Sequence, residues 1–176
     1  MNTNMTAKQK EASMLSAVIS RGLNSQLNLE YRSSWLYRSM YAWSSLRCMM
    51  GFTSWLKRQA EEERQHGQKI FDYLTEQNSA VHLETIPEPK AEWESFKELF
   101  EDVLKHEETV TQSITHLYEE ASQNKDYATR IFLQWFITEQ VEEVSEVRNI
   151  LQLLDDSGQE RDYIYFANLE LEKRAL

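Results

Sequence analysis

The chain contains only two prolines, Pro87 and Pro89, and both stand near its middle. Proline has no amide hydrogen, clashes with the preceding helical turn, and drives the residue before it out of the helical region. The segment from Ser79 to Ala91 therefore cannot be helical throughout, whereas everything outside it is free of the strongest helix breaker. Glycine is also sparse, with 4 in 176 residues, so little of the chain is available for turns, bulges or linkers. Long uninterrupted helices are the expected result.

Breaker residues and apolar periodicity divide the chain into five helical stretches. The spacing predicts helices from about Ala7 to Arg47, from Thr53 to Gln77, from Trp93 to Ser122 and from Tyr127 to Asp155, and a short one from Arg161 to Lys173. A tight turn near Met50 and Gly51 joins the first two, and Gln123, Asn124, Lys125 and Asp126 join the next two. Each pair reads as an antiparallel hairpin. The proline segment is the one long connection: a helix of about 25 residues is roughly 38 Å long, which about 13 extended residues can retrace. The expected fold class is all-α, a four-helix bundle of up-down hairpins with one long crossover, as a single domain over residues 1–176. The short C-terminal fifth helix is too short to be stable alone and must dock.

The formal net charge is -10 and basic residues never form a long run. Neither a nucleic-acid footprint nor an anionic-membrane surface is expected, and cations are the natural partner. The single cysteine, Cys48, excludes an internal disulfide and suits a reducing compartment, so a cytoplasmic location is expected. No stretch of roughly eighteen apolar residues occurs, and Met1 to Ala12 is polar without a signal-like core, so the protein reads as soluble and unprocessed.

Stepping along each long helix by three and four residues gives the face that should point inward. The first stripe is Leu23, Leu27, Glu30, Ser34 and Tyr37, and the second is Leu56, Gln59, Glu63, His66, Ile70 and Tyr73. The third is Leu99, Val103, Glu107, Val110, Ile114 and Leu117, and the fourth is Phe132, Phe136, Gln140, Glu143, Val147 and Ile150. All four are apolar near their ends and polar in the middle. In an antiparallel hairpin, residues equally far from the turn lie level. The midpoint of Glu30 and Glu63 falls between Leu46 and Arg47, beside the first turn, and that of Glu107 and Glu143 falls at Lys125, inside the second. Whether both pairs share one layer depends on the crossover.

Four carboxylates cannot all stay ionised in an apolar core, since desolvation and mutual repulsion oppose it. Either they are protonated or solvated, or cations neutralise them. Glu63 and His66, three residues apart on one face, can ligate one ion while the second oxygen of Glu63 bridges to another. Oxygen-rich ligation with one imidazole suits Fe, Mn or Mg better than structural zinc.

At these positions the sequence resembles the non-haem bacterial ferritins, over nearly the whole chain. The similar stretches are LNSQLNLE ending at Glu30, QAEEERQH from Gln59 to His66, FDYL from Phe71, KHE ending at Glu107 and FLQWFITEQ ending at Gln140. Short loops with one long crossover is also the connectivity of ferritin-like bundles. The resemblance implies Glu30, Glu63 and His66 at one iron, Glu63, Glu107 and Glu143 at its neighbour, with Gln140 beside the pair and Tyr37 near it. It further implies a third iron position formed by Glu62, Glu139 and Glu142 with Glu143, although such glutamates otherwise read as a solvated helix face.

Departures from related patterns also count. Gln140 and Glu143 stand where a symmetric di-iron bundle would repeat Glu-x-x-His, and Arg64 follows Glu63 where haem-binding relatives place a methionine, so no haem is expected. The acidic pair of the threefold channel in animal ferritins would fall at Arg130 and Leu133, which puts that entry route in doubt. His82, His106 and His116 read as surface or boundary residues, and Trp135 as core packing or an electron donor.

The function expected is oxidation of Fe(II) by dioxygen, or by hydrogen peroxide, and the resemblance alone implies storage of ferric mineral inside a homo-oligomeric shell of twenty-four subunits. Rival readings are a di-iron oxygenase or peroxidase on the same bundle, and a DNA-protecting mini-ferritin.

Overall fold

The computed structural model describes residues 13–156 and 161–174, which form five helices and no strand among the described residues: α1 (Ala17–Ser45), α2 (Met50–Glu76), α3 (Phe96–Gln123), α4 (Tyr127–Asp156) and α5 (Arg161–Arg174). The architecture is the expected bundle with a short fifth helix. Three helix starts differ from the sequence expectation, each for a local reason.

The first helix begins at Ala17 and not near Ala7. Ser16 is extended (φ -64, ψ 155) and its hydroxyl accepts from the Ile19 amide at 3.3 Å, a side-chain cap that ends the helix there. The part of the expected helix before residue 13 lies outside the described residues. The second helix begins at Met50, so Met50 and Gly51 are helical and the turn lies earlier, around the left-handed Cys48 (φ 56). What permits this is Asn168 of α5, whose Oδ1 accepts from Gly51 N at 2.8 Å and Phe52 N at 3.3 Å. A residue more than a hundred positions away thus satisfies the open amides of α2's first turn. Gly51 is required by the same contact, since a Cβ there would lie 1.9 Å from the Asn168 carbonyl oxygen. The third helix begins at Phe96, after Trp93, because Ser95 Oγ accepts from Glu98 N at 3.1 Å while Glu98 Oε2 accepts from Glu94 N at 2.7 Å. This is close to a reciprocal capping box.

The helices pair as α1 with α2 and α3 with α4, with α1 also against α3 and α5 against α2 and α4. The crossover between α2 and α3 runs beside α1 in α1's own direction, held by two asparagines one helical turn apart. Asn24 donates to Ala80 O at 3.0 Å and accepts from His82 N at 2.6 Å. Asn28 donates to His82 O and accepts from Glu84 N, both at 2.8 Å. The side-chain amides thereby act as the missing neighbour strand for an extended segment. Ser39 Oγ donates to Lys90 O at 2.7 Å further along. The crossover thus delivers the start of α3 to the C-terminal end of α1, and α3 runs back antiparallel to it, with Tyr37 opposite Glu107 and Gln26 opposite Ser113.

Every residue of the four expected stripes is buried except Phe132, which is half-buried. The apolar core is not continuous. One cluster, including Met40, Phe52, Leu56, Phe100, Val103 and Ile150, fills one end of the bundle, and another, including Leu23, Leu27, Ile70, Ile114, Leu133 and Phe136, fills the other. The polar residues of all four stripes lie between them.

Because Asn24 and Asn28 are buried and carry the crossover's backbone bonds, replacing either by Ala should destabilise the fold by about 1–2 kcal/mol. The double variant should melt below both single variants. A double variant with the wild-type melting temperature would show that the ladder contributes nothing.

Candidate metal centre

The crossover answers the question that hairpin geometry left open: the two level pairs of glutamates share one layer. Glu30 from α1, Glu63 and His66 from α2, Glu107 from α3 and Gln140 and Glu143 from α4 are all buried and face one another between the two apolar clusters. Ligand atoms of Glu30, Glu63 and His66 all lie within 4.8 Å of one another, with His66 Nδ1 3.4 Å from Glu63 Oε2.

Neutral donors fix most of these carboxylates. Gln26 Nε2 donates to Glu30 Oε1 at 2.7 Å, and the Gln26 carbonyl in turn accepts from Ser113 Oγ at 2.6 Å. Tyr37 donates its phenolic hydrogen to Glu107 Oε1 at 2.5 Å, while Gln140 Nε2 donates to Glu107 Oε2 at 3.1 Å. Gln59 Nε2 donates to Glu143 Oε2 at 2.8 Å. Amides and a phenol orient carboxylates without neutralising them. Among the described residues no lysine or arginine pairs with any of the four, and Glu30 Oε2 and Glu63 Oε2 are buried with no hydrogen-bond partner. Buried oxygens without partners, aimed into a cluster of like charges, fit hard cations of the iron kind.

The electrostatics agree. Burial, and then Glu63, push the Glu30 carboxyl well above its ordinary range, and burial followed by Glu107 does the same to Glu63. Burial raises Glu107 to about 7. Glu143 is raised to about 9 by burial first, then by Glu107, Glu62, Glu146 and Glu139. Without cations the belt holds protons that exposed carboxyls would have lost.

Tyr37 is clamped between Trp55 and His106, with ring centroids 6.1 and 6.4 Å away in edge-to-face arrangements. His106 is half-buried, within 2.7 Å of Ser33 Oγ, and burial lowers its pKa to about 4, so it is a neutral boundary residue. His82 and His116 are exposed. Trp135 is 38% exposed at the edge of the core, its ring 4.8 Å from the buried Phe136 ring and 5.3 Å from the His66 ring, both edge-to-face, with the Lys69 ammonium 3.7 Å from its centroid. Leu133 is fully buried, and Arg130 donates to the Tyr118 hydroxyl at 3.2 Å. Neither offers an acidic lining.

A cleft of about 520 Å³ between α2 and α4, lined among others by Glu62, His66, Lys69, Trp135 and Glu139, opens onto the layer. Glu62 and Glu139 are half-buried there, whereas Glu142 is exposed. Glu146, which the sequence reading passed over, acts on both Glu62 and Glu143. Its signal was present in the spacing, since Glu139, Glu143 and Glu146 follow one another by four and three residues on one face of α4. Gln26 and Gln59 were also missed as orienting donors.

A bundle of two hairpins and one crossover, with a mid-layer of unpaired glutamates and a histidine, defines the class of helical proteins whose core is built to hold cations. Residues 20–157 match the family described as Ferritin, a ferritin-like domain. The chain is 40% identical over 158 residues to a bacterial non-heme ferritin of Escherichia coli, covering 90% of this chain and 96% of that one. It is 38% identical over 162 residues to the bacterial non-heme ferritin of Staphylococcus haemolyticus, covering 92% and 98%. Among solved structures, the open pore ferritin of Archaeoglobus fulgidus superposes with a TM-score of 0.87 at 38% identity, covering 89% of this chain and 96% of that one. The chain belongs to the ferritin family, a family of iron storage and Fe(II) oxidation. Among the described residues no helix is long and apolar enough to cross a membrane.

The raised carboxyls make the stability of the metal-free protein depend on pH in a definite sense. An unfolded carboxyl loses its proton near 4.5, while folded Glu107 and Glu143 keep theirs to about 7 and about 9. Their contribution is fully present below 4.5 and is lost as pH rises through those folded values. The metal-free protein should therefore melt at progressively lower temperature from pH 5 to pH 8, and a saturating divalent ion should remove the decline. Calorimetry of metal-free and loaded protein at three pH values tests this, and parallel profiles would contradict it.

Proposed function

We propose that this chain is an iron-storing ferroxidase subunit: it binds two Fe(II) in the mid-bundle layer, passes their electrons to dioxygen, and stores the ferric product in a hollow shell of twenty-four copies. The observation that carries the reading is the belt of four buried glutamates without a lysine or arginine partner among the described residues, two of whose oxygens have no hydrogen-bond partner. Iron is substrate and cargo here.

In this reading Glu30, Glu63 and His66 hold one Fe(II), and Glu63, Glu107 and Glu143 hold its neighbour, with Gln140 beside them. Glu63 is the shared ligand. Each Fe(II) gives up one electron, and dioxygen, taking two electrons and two protons, becomes hydrogen peroxide. Hard carboxylate oxygens stabilise the ferric product more than the ferrous substrate, which favours the oxidation. The donors from Gln26, Gln59, Gln140 and Tyr37 hold carboxylate oxygens in place, so that little reorganisation accompanies the change of charge. The cleft between α2 and α4, carrying Glu62 and Glu139, is the path by which ferric ions leave, with a third iron position along it. Glu142, exposed beside it, joins only by rotating inward.

An oxygenase would need an apolar cavity for an organic substrate next to the centre, whereas the cleft that opens there is lined mainly by charged and polar side chains, among them Glu62, Arg64, Lys69, Asp72 and Glu139. A DNA-protecting role meets a formal net charge of -10. The single free cysteine fits a reducing cytoplasm.

Glu63→Ala should lose rapid Fe(II) oxidation by at least about 100-fold, since loss of a mere outer-shell partner of a metal ligand already costs about 10–100-fold, while far-UV circular dichroism stays at the wild-type level. Wild-type stopped-flow kinetics in that variant would end the assignment. Light scattering should find a particle of about half a megadalton for a subunit of 20.9 kDa, and a monomer or dimer at every concentration would rule out a storage shell.

A further inference from the structure

Beside the layer, the half-buried Glu62 and Glu139 and the buried Glu143 are joined by Glu146, and one cation contacts two of the four, Glu62 and Glu146. Arg58 of α2 places Nη2 3.1 and 3.3 Å from the two carboxylate oxygens of Glu146 on α4, and Nε 3.7 Å from Glu62 Oε1. The guanidinium therefore bridges two helices across the mouth of the cluster. Among the described residues, no other lysine or arginine side chain forms an ion pair with Glu62, Glu139 or Glu146. A second observation gives this bridge somewhere to go. Arg58 and Glu62 also line a separate cleft of about 590 Å³, between α2 and α5, with Ser54, Trp55 and Leu171. The side chain has room to leave its carboxylates without disturbing any packed residue.

We propose that the Arg58 guanidinium is a tethered counter-ion occupying the third cation position in the metal-free protein, so that an ion entering there must displace it into the α2–α5 cleft. The inference rests on the reading of a third position above. A positive side chain fixed at that place favours the metal-free arrangement of Glu62 and Glu146, and it lowers the affinity of the third position without touching the ligands of the first two. A weak third position keeps cations passing through the cleft instead of resting in it. Glu146, once released from Arg58, is free to act as a further ligand beside Glu62 and Glu143.

The test is calorimetric titration of the full-length protein with Zn(II), a divalent ion that undergoes no oxidation. The third step is identified as the one lost in the double variant Glu62→Gln/Glu139→Gln. Arg58→Met keeps the aliphatic stem on an exposed helix position and removes the charge. It should tighten the third step by about tenfold, equivalent to about 1.4 kcal/mol, and leave the first two unchanged. Arg58→Lys, which retains a cation, should stay near the wild-type value, an outcome that a purely structural role for the arginine would not produce. A third step of equal affinity in wild type and Arg58→Met would overturn the counter-ion while leaving the third position standing. Absence of any third step in wild type and Arg58→Met alike would overturn both.

Discussion

Mutual repulsion among four glutamates in a buried layer is the constraint around which this bundle is arranged. Glu30, Glu63, Glu107 and Glu143 come one from each long helix, and among the described residues no lysine or arginine pairs with any of them. Proteins ordinarily avoid such a layer, because unpaired buried charge costs several kcal/mol per group. Here it is tolerated by holding protons until cations replace them. The neutral partners matter for the same reason. Gln26, Gln59, Gln140 and Tyr37 satisfy lone pairs and fix orientation, but none supplies the charge that would make an ion unnecessary. An arginine in any of those places would stabilise the empty protein and compete with a cation for the layer.

Bringing the four together is the work of the crossover. Two hairpins can each be in register internally and still be displaced from one another by a turn or more. The asparagine ladder from Asn24 and Asn28 sets how far the extended segment travels along α1, and so where α3 begins. The fifth helix has a comparable role at the opposite connection. Through Asn168 it caps α2, and through the close approach at Gly51 it fixes the start of the helix that carries both Glu63 and His66.

Much of this was legible in the sequence, for identifiable reasons. The buried stripes could be read because long helices without proline keep a strict period, and the depth of the glutamates because distance from a turn is a matter of counting. What escaped were features decided by partners distant in sequence. The helical state of Met50 and Gly51 depends on a cap more than a hundred residues away. The late start of α3 depends on a competition between Trp93, which looks like the first apolar position, and Ser95, whose hydroxyl takes the Glu98 amide. At the site, the stripes placed Glu30 level with Glu63 and Glu107 level with Glu143, while the joining of the two pairs, with His66 and Gln140, into one layer was left open by the sequence and is decided by the crossover. Glu146 and Arg58 were missed because each alone is an ordinary charge on a helix face, and only the approach of α2 to α4 makes them a pair.

The polar layer also parts the interior into two apolar half-cores that share few side-chain contacts. Substitutions far apart and without common neighbours tend to add independently. Each half can accordingly drift in sequence, exchanging Leu, Ile, Phe and Trp within its own volume, without having to compensate for changes in the other. The belt is in effect a firewall between two regions that are free to repack separately, and the candidate metal centre sits at the one depth between them.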